Sequence, residues 1–242
     1  MTSPTTVPGL LQSLAADAGR PRLTWYGPGG ERIELSGHVL DNWVTKTANL
    51  LAEEFGAGPS HRVQVDLPPH WRTVVWALAV WRVGAHLVLG EDDSADLVVT
   101  DRPQSHTGAV ELVAVALPAL ARSFDGTLPP GAVDAASAVM TYGDMLTWMP
   151  EAVPSAPAVT VGEGSPVPHG ELLAWARPAA GSPGRRVLVE VAGAGTAEVL
   201  RAVLGVYADD GSVVLWATDP DEPADQAAAR RDRVVESERV TG

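Results

Sequence analysis

The apolar positions along the chain change period several times, and each change marks an element. Residues 8–18 place Leu10, Leu11 and Leu14 at helical spacing and stop at Gly19, which predicts a short amphipathic helix. From 22 to 35 the pattern alternates on both sides of Gly27-Pro28-Gly29-Gly30 and predicts a β-hairpin. Ser36 can then cap a long helix, because Val39, Leu40, Trp43, Val44, Thr47, Leu50, Leu51 and Phe55 recur with a helical period until Gly56 and Gly58 end it. Beyond that point strand and helix take turns. Residues 62–67 read as a strand, 71–83 as a helix closed by Gly84, 85–89 and 97–100 as strands, and 111–116 as a further apolar run. Strands joined through single helices require crossovers, and crossovers predict a parallel, doubly wound sheet.

The pattern weakens between 123 and 157, where prolines at 129, 130, 150, 154 and 157 flank one helix at 134–149. A subdomain boundary is expected near residue 158. It would divide the chain into a first α/β subdomain, 1–158, and a second, smaller one, 159–242, that ends in a charged tail. The second part restarts the alternation: strand at 159–161, helix at 170–176, strand at 187–191, helix at 196–207, strand at 213–217, then an alanine-rich charged helix after Pro220. No internal repeat is present.

Charge narrows the partners. Thirty acids against 17 bases give a formal net charge of −13, which repels phosphate backbones and anionic membranes, so neither nucleic acid nor a membrane is expected as a partner. The 45% hydrophobic and 19% charged residues are those of a globular protein with a sizeable core. The sequence has no cysteine, which removes disulfides, thiolate zinc sites and cysteine nucleophiles together. Met1-Thr2-Ser3-Pro4 lacks the basic and apolar regions of a secretory signal. The long apolar stretches 74–89 and 109–121 are interrupted by Arg82 and His86, and by Glu111 and Pro118, so a cytoplasmic location is expected.

Two glycine turns could carry chemistry. The stretch Val159-Thr160-Val161-Gly162-Glu163-Gly164-Ser165-Pro166 reads as a strand-to-helix loop that could offer N–H groups to a phosphate. Glu163 inside it would repel that ligand, and no lysine or arginine lies nearer in sequence than Arg177, so a structural turn is the simpler reading. The second turn, Gly193-Ala194-Gly195, lies between strand and helix and is followed by Asp219 after the next strand. It supplies half of a dinucleotide fingerprint, but Glu198 stands where a small residue is needed. The histidines at 38, 61, 70, 86, 106 and 169 contain no i, i+4 pair for a helical metal site, and only His169 lies beside a glycine loop. No serine occupies a G-x-S-x-G elbow. Trp71, Trp76 and Trp81, five apart in one helix, read as packing.

Residues 21–103 resemble the N-terminal region of the acyl-adenylate-forming superfamily, which includes acyl-CoA synthetases and the adenylation domains of peptide synthetases. Three segments carry the resemblance. They are Leu23-Thr24-Trp25-Tyr26 with the helix end Thr47-Ala48-Asn49-Leu50-Leu51-Ala52, His61-Arg62-Val63-Gln64-Val65-Asp66-Leu67-Pro68, and Trp81-Arg82-Val83-Gly84-Ala85-His86-Leu87-Val88-Leu89. The last is similar to the family's K-A-G-A-x-x-V-P-L element, and the strand at 95–100 follows it. Pro166, Val167, His169 and Leu172 resemble the end of the family's phosphate loop, S-G-T-T-G-x-P-K-G-V-x-H-x-x-L, with Gly164 matching its last glycine.

The resemblance implies parallel doubly wound sheets flanked by helices, with a small β-hairpin near the N-terminus. It also exposes departures. The loop's Lys-Gly pair is missing, and its hydroxyl-rich stretch is reduced to Gly162-Glu163. The Y-G-x-T-E segment, the adenosine-binding acids and the C-terminal domain with its catalytic lysine have no counterpart in these 242 residues. Lys46, the single lysine, is expected on the exposed side of an early helix, where it cannot replace that residue. The resemblance therefore implies a catalytically inactive relative kept as a binding or regulatory module. Gly162, Gly164, Ser165 and His169 would be a degenerate phosphate-loop remnant, with no cofactor and no metal. The alternative is a small-molecule binding protein that retains a remnant cleft for a nucleotide, acyl group or coenzyme A. An NAD-type oxidoreductase built on Gly193 and Gly195 ranks third. A homodimer or a separate protein partner fits either of the first two readings.

Overall fold

The computed structural model describes residues 4–146, 152–177 and 183–242. The chain divides into two compact units, one comprising Met1–Asp41, Pro69–Trp71 and Ala176–Gly242, the other Asn42–Pro68 and Arg72–Trp175.

The first unit is built on a four-stranded sheet. Helix α1 (Val7–Ala15) is capped by Thr6, whose hydroxyl accepts from the Gly9 amide at 3.2 Å, and it buries Val7, Leu10, Leu11 and Leu14. Strands β1 (Pro21–Tyr26) and β2 (Arg32–Ser36) pair antiparallel as the expected hairpin, turned by a short 3-10 helix at Pro28–Gly30. Two later strands, β10 (Arg186–Glu190) and β11 (Ser212–Trp216), join them in the order β10-β11-β1-β2, with β11 parallel to both of its neighbours. Helix α6 (Thr196–Ala208) provides the β10–β11 crossover. Val214 and Trp216 of β11 pack with Val234 of helix α7 (Ala224–Ser237), joined by Tyr26, Leu188 and Val240. Arg22 is 1% exposed in this unit. Its guanidinium donates to the carbonyls of Leu14, Asp210 and Gly211 and pairs with the Asp210 carboxylate at 2.8 Å.

The second unit holds a seven-stranded sheet. Its strands are β3 (Arg62–Asp66), β4 (His86–Leu89), β5 (Leu97–Thr100), β6 (Leu112–Ala114), β7 (Val133–Asp134), β8 (Pro157–Val161) and β9 (Val167–Pro168), in the order β7-β6-β5-β3-β4-β8-β9. All pairings are parallel except β8 with β9. Helix α2 (Gly37–Phe55) precedes β3, and the Ser36 hydroxyl accepts from the Val39 amide at 3.4 Å, as the cap requires. Helix α3 (Trp71–Arg82) links β3 to β4; its Trp71, Trp76 and Trp81 are all buried, and the Trp81 indole donates to the Ala158 carbonyl at 2.9 Å. Residue 158 lies inside a strand of this sheet, because β8 pairs with β4, so the units follow sheet membership rather than chain order.

Of the helix expected at 134–149, a short α4 (Ala135–Ala138) and a 3-10 turn at Val139–Thr141 are formed; 147–149 lie outside the described residues. The sheets, the flanking helices and the N-terminal hairpin agree with the fold read from sequence. Among the described residues no helix is long and apolar enough to cross a membrane.

Candidate functional site

The stretch 162–169 was expected to join a strand directly to a helix, and it joins two strands instead. Val159 pairs with Val167 and Pro157 with Pro168, so β8 and β9 form a hairpin around residues 162–166. Only then does a 3-10 turn at His169–Glu171 lead into α5 (Leu172–Ala176). Short strand β9 left no sequence signal, since Val167 stands alone between two prolines.

The hairpin occupies two of the donors a phosphate would need. The Gly162 amide donates to the Leu89 carbonyl at 2.8 Å, and the Gly164 amide to Val161 at 3.0 Å, while Pro166 has no N–H. Gly162 sits at φ 53°, and a Cβ on Gly90 would meet the Gly162 Cα at 3.2 Å, so the two chain segments touch where a cradle would have to open. Glu163, Gly164 and Ser165 are exposed. Glu163 places a carboxylate at the tip.

His169 faces inward. It is 8% exposed, and its Nε2–H donates to the Gly84 carbonyl at 3.1 Å. Burial holds its pKa below the usual imidazole value, so the ring is neutral at physiological pH. The four sequence candidates thus split, with Gly162, Gly164 and Ser165 in the turn and His169 anchoring the chain behind it. Lys46 is half-buried rather than exposed; its Nζ donates to the Tyr142 carbonyl at 2.6 Å, which commits it to structure.

The Gly193-Gly195 turn leads into α6 as expected, with Gly195 at the helix N-cap position and Glu198 in the first turn. Asp219, the acid sought after the next strand, accepts from the Gly29 and Asp221 amides at 2.9 and 3.1 Å. Those two bonds hold its carboxyl below the usual range and leave it serving the hairpin turn. Among the described residues no group of three or more His, Asp or Glu side chains could hold a metal ion.

Polar side chains gather elsewhere in the second unit. On β3 the sequence Arg-Val-Gln-Val-Asp alternates, so Arg62, Gln64 and Asp66 share one face of the sheet. Asp66, at the carboxyl end, accepts from Arg102 at 2.8 and 3.0 Å, from His106 Nε2 at 2.8 Å and from Thr100 at 3.3 Å. Burial would raise its pKa, but His106 and Arg102 outweigh this and lower it. Arg62 donates to Asp92 at 2.8 Å and reaches His86 Nδ1 at 3.4 Å; His86 Nε2 lies 2.8 Å from the Thr160 hydroxyl. Burial, with Arg62 beside it, depresses the His86 pKa. The alternation in β3 was the visible signal for this face.

No family model matches the chain. A TIGR03089 family protein of Mycobacterium tuberculosis (strain ATCC 25618 / H37Rv) is 36% identical over 252 residues, an alignment that takes in 100% of this chain and 99% of the relative. The chain belongs to the TIGR03089 family. Among solved structures, this TIGR03089 member is similar to an acetoacetyl-CoA synthetase from Streptomyces lividans (TM-score 0.73, 17% identity), over 93% of its own length and 40% of that enzyme's. An acyl-CoA synthetase of Brucella canis matches at TM-score 0.72 and 19% identity, covering 98% of this chain and 46% of that one. NpsA-ThdA, an artificially fused adenylation–PCP di-domain from Klebsiella oxytoca, matches at TM-score 0.67 and 13% identity, over 98% and 42%. The TIGR03089 chain thus has the fold of adenylate-forming enzymes and spans less than half the length of the solved ones.

Proposed function

We propose that this chain does not adenylate carboxylates and acts as a binding or regulatory module, a catalytically inactive relative of the adenylate-forming enzymes. The observation that carries the reading is the turn at 162–166. Activation of a carboxylate by ATP requires fixed positive charge and N–H donors around the polyphosphate. Here the Gly162 and Gly164 amides bond to backbone carbonyls, Pro166 has no donor, and Glu163 presents like charge. Losing one preorganised donor costs about 10²–10³ in rate, and several are lost together. Gly162, Gly164, Ser165 and His169 are, on this reading, the remnant of a phosphate loop.

ATP–pyrophosphate exchange with a panel of carboxylic acids tests the proposal. No acid should raise exchange above background. Acid-dependent exchange that disappears on Gly164→Val would overturn it.

A second reading, a small-molecule binding protein that keeps a remnant cleft for a nucleotide, acyl group or coenzyme A, is supported by the fold shared with acyl-CoA synthetases. A thermal-shift screen with AMP, ATP, acyl-CoA and NAD separates the two, because a ligand specific for the folded chain raises its melting temperature by mass action. Stabilisation by NAD would support the Gly193-Gly195 reading, which the engagement of Asp219 disfavours. A cytoplasmic location, a homodimer or protein partner, and no nucleic-acid binding at net charge −13 complete the proposal.

A further inference from the structure

The face of the second unit's sheet that carries Arg62, Gln64 and Asp66 is covered in an unusual way. From β3 the chain steps to β4 through helix α3; from β4 it steps back across β3 to β5, and then on to β6. Right-handed crossovers that step in opposite directions lie on opposite faces, so both β4–β5 and β5–β6 pass over the face opposite α3. Parallel strands are normally joined by a dozen or more residues, usually a helix. Here the first crossover is residues 90–96, seven in all, and the second is residues 101–111, eleven, with only the 3-10 turn Pro103–His106. Loops roof a face that helices usually fill.

The three polar residues of β3 show what this roof does. Arg62 at one end is held by Asp92 of the first crossover. Asp66 at the other end is held by Arg102 and His106 of the second. Gln64, between them, is 5% exposed, and its side-chain amide has no hydrogen-bond partner among the described residues. Between the two loops lies a cavity of about 450 Å³, with Gln64 in its lining and Glu91, Asp92, Asp93, Ser105 and His106 around it. That volume is in the range of small-molecule sites, and Gln64 and Asp66 lie beside the β3/β5 pair, where the strand order reverses. The Gln64 amide is not sealed from solvent, so it opens on the cavity with its hydrogen-bonding groups unengaged by the protein.

We propose that this cavity binds a small organic ammonium compound. No Lys or Arg lines it, whereas three carboxylates do. Asp92 is neutralised by Arg62, but Glu91 and Asp93 are exposed and have no ion-pair partner among the described residues. A nucleotide, coenzyme A or carboxylate would be repelled. An ammonium group can donate to the Gln64 carbonyl oxygen at the buried end while Glu91 and Asp93 attract it at the mouth. The inference goes beyond the proposed loss of adenylation and does not depend on it, since the two sites share no residue.

Isothermal titration of the full chain with 1,4-diaminobutane, with 1,4-butanediol as the neutral counterpart, tests it. The diamine is expected to bind saturably, tighter than about 1 mM, and the diol not at all. Glu91→Gln with Asp93→Asn should weaken binding by about tenfold or more, and Gln64→Leu should abolish it. The double variant changes exposed loop positions and keeps the test valid if Gln64→Leu fails to fold. No saturable heat with the diamine, equal binding of the diol, or unchanged affinity in the double variant would each overturn the proposal.

Discussion

Replacing Glu238 by Gln removes one negative charge from a cluster that ties the end of α7 to the first unit's sheet. The Glu238 carboxylate is 8% exposed; it accepts from Tyr26 Oη at 2.6 Å and from Arg32 at 2.9 Å, and it pairs with Arg186. Breaking a buried pair from one side costs about 3–5 kcal/mol, because the partner charge stays behind without compensation. Arg186 is 14% exposed and bears most of that cost, while Arg32, at 44%, is screened by water, so about 2–4 kcal/mol is expected in all. For a chain of this size that corresponds to a melting temperature lower by roughly 4–16 °C.

The pH dependence sharpens the test. Burial alone would raise the Glu238 pKa, but the donors Tyr26, Arg32 and Arg186 outweigh it and hold the carboxyl below its ordinary 4.5. A depressed acid contributes stability that is complete above its unfolded value and disappears as pH falls through its folded value. Gln does not titrate, so the gap between wild type and Glu238→Gln should be widest at neutral pH and should shrink as pH falls below the ordinary 4.5 and on through the depressed folded value. Melting followed by tryptophan fluorescence, to which Trp25 and Trp216 of this unit contribute, measures the gap at each pH. A gap below 1 °C at neutral pH, or one that stays constant down to acid pH, would refute the electrostatic account.

Other substitutions probe separate features. Arg22→Met leaves the carbonyls of Leu14, Asp210 and Gly211 without their donor in a buried place and should cost about 2–4 kcal/mol in urea unfolding. At Gly84, φ is 74° and an added Cβ would meet the Ala152 Cα at 3.0 Å, so Gly84→Ala should destabilise by more than about 1 kcal/mol in the same assay. Trp81→Phe removes the indole donor to the Ala158 carbonyl and should cost about 1–3 kcal/mol, seen as a lower midpoint with an unchanged slope.

The elements were legible because glycines and caps punctuate them. Ser36 before α2, Gly84 after α3 and the alternation around Gly27–Gly30 all act within a few residues of where they stand. The division into units was not legible, because it rests on β11 returning to pair with β1 about 190 residues away, and a parallel pairing of that span leaves no local mark. At the turn 162–166 the sequence shows an acid, Glu163, and no lysine. Its hairpin geometry did not show, since a single valine between two prolines carries no period. Gln64 was visible as one polar position of an alternating strand. What makes it stand out is the shortness of two crossovers, and that can be judged only once the strand order is known.

The engagement of Lys46 has a practical side. Lys46 and Asn49 stand three apart on α2, and together they grip the backbone of residues 142–145, Lys46 through Tyr142 and Asn49 through Gly143 and Met145. Since the sequence has no other lysine, an acylating reagent that seeks side-chain amines has a single address, and its rate of attack there becomes a clock for how often that grip lets go.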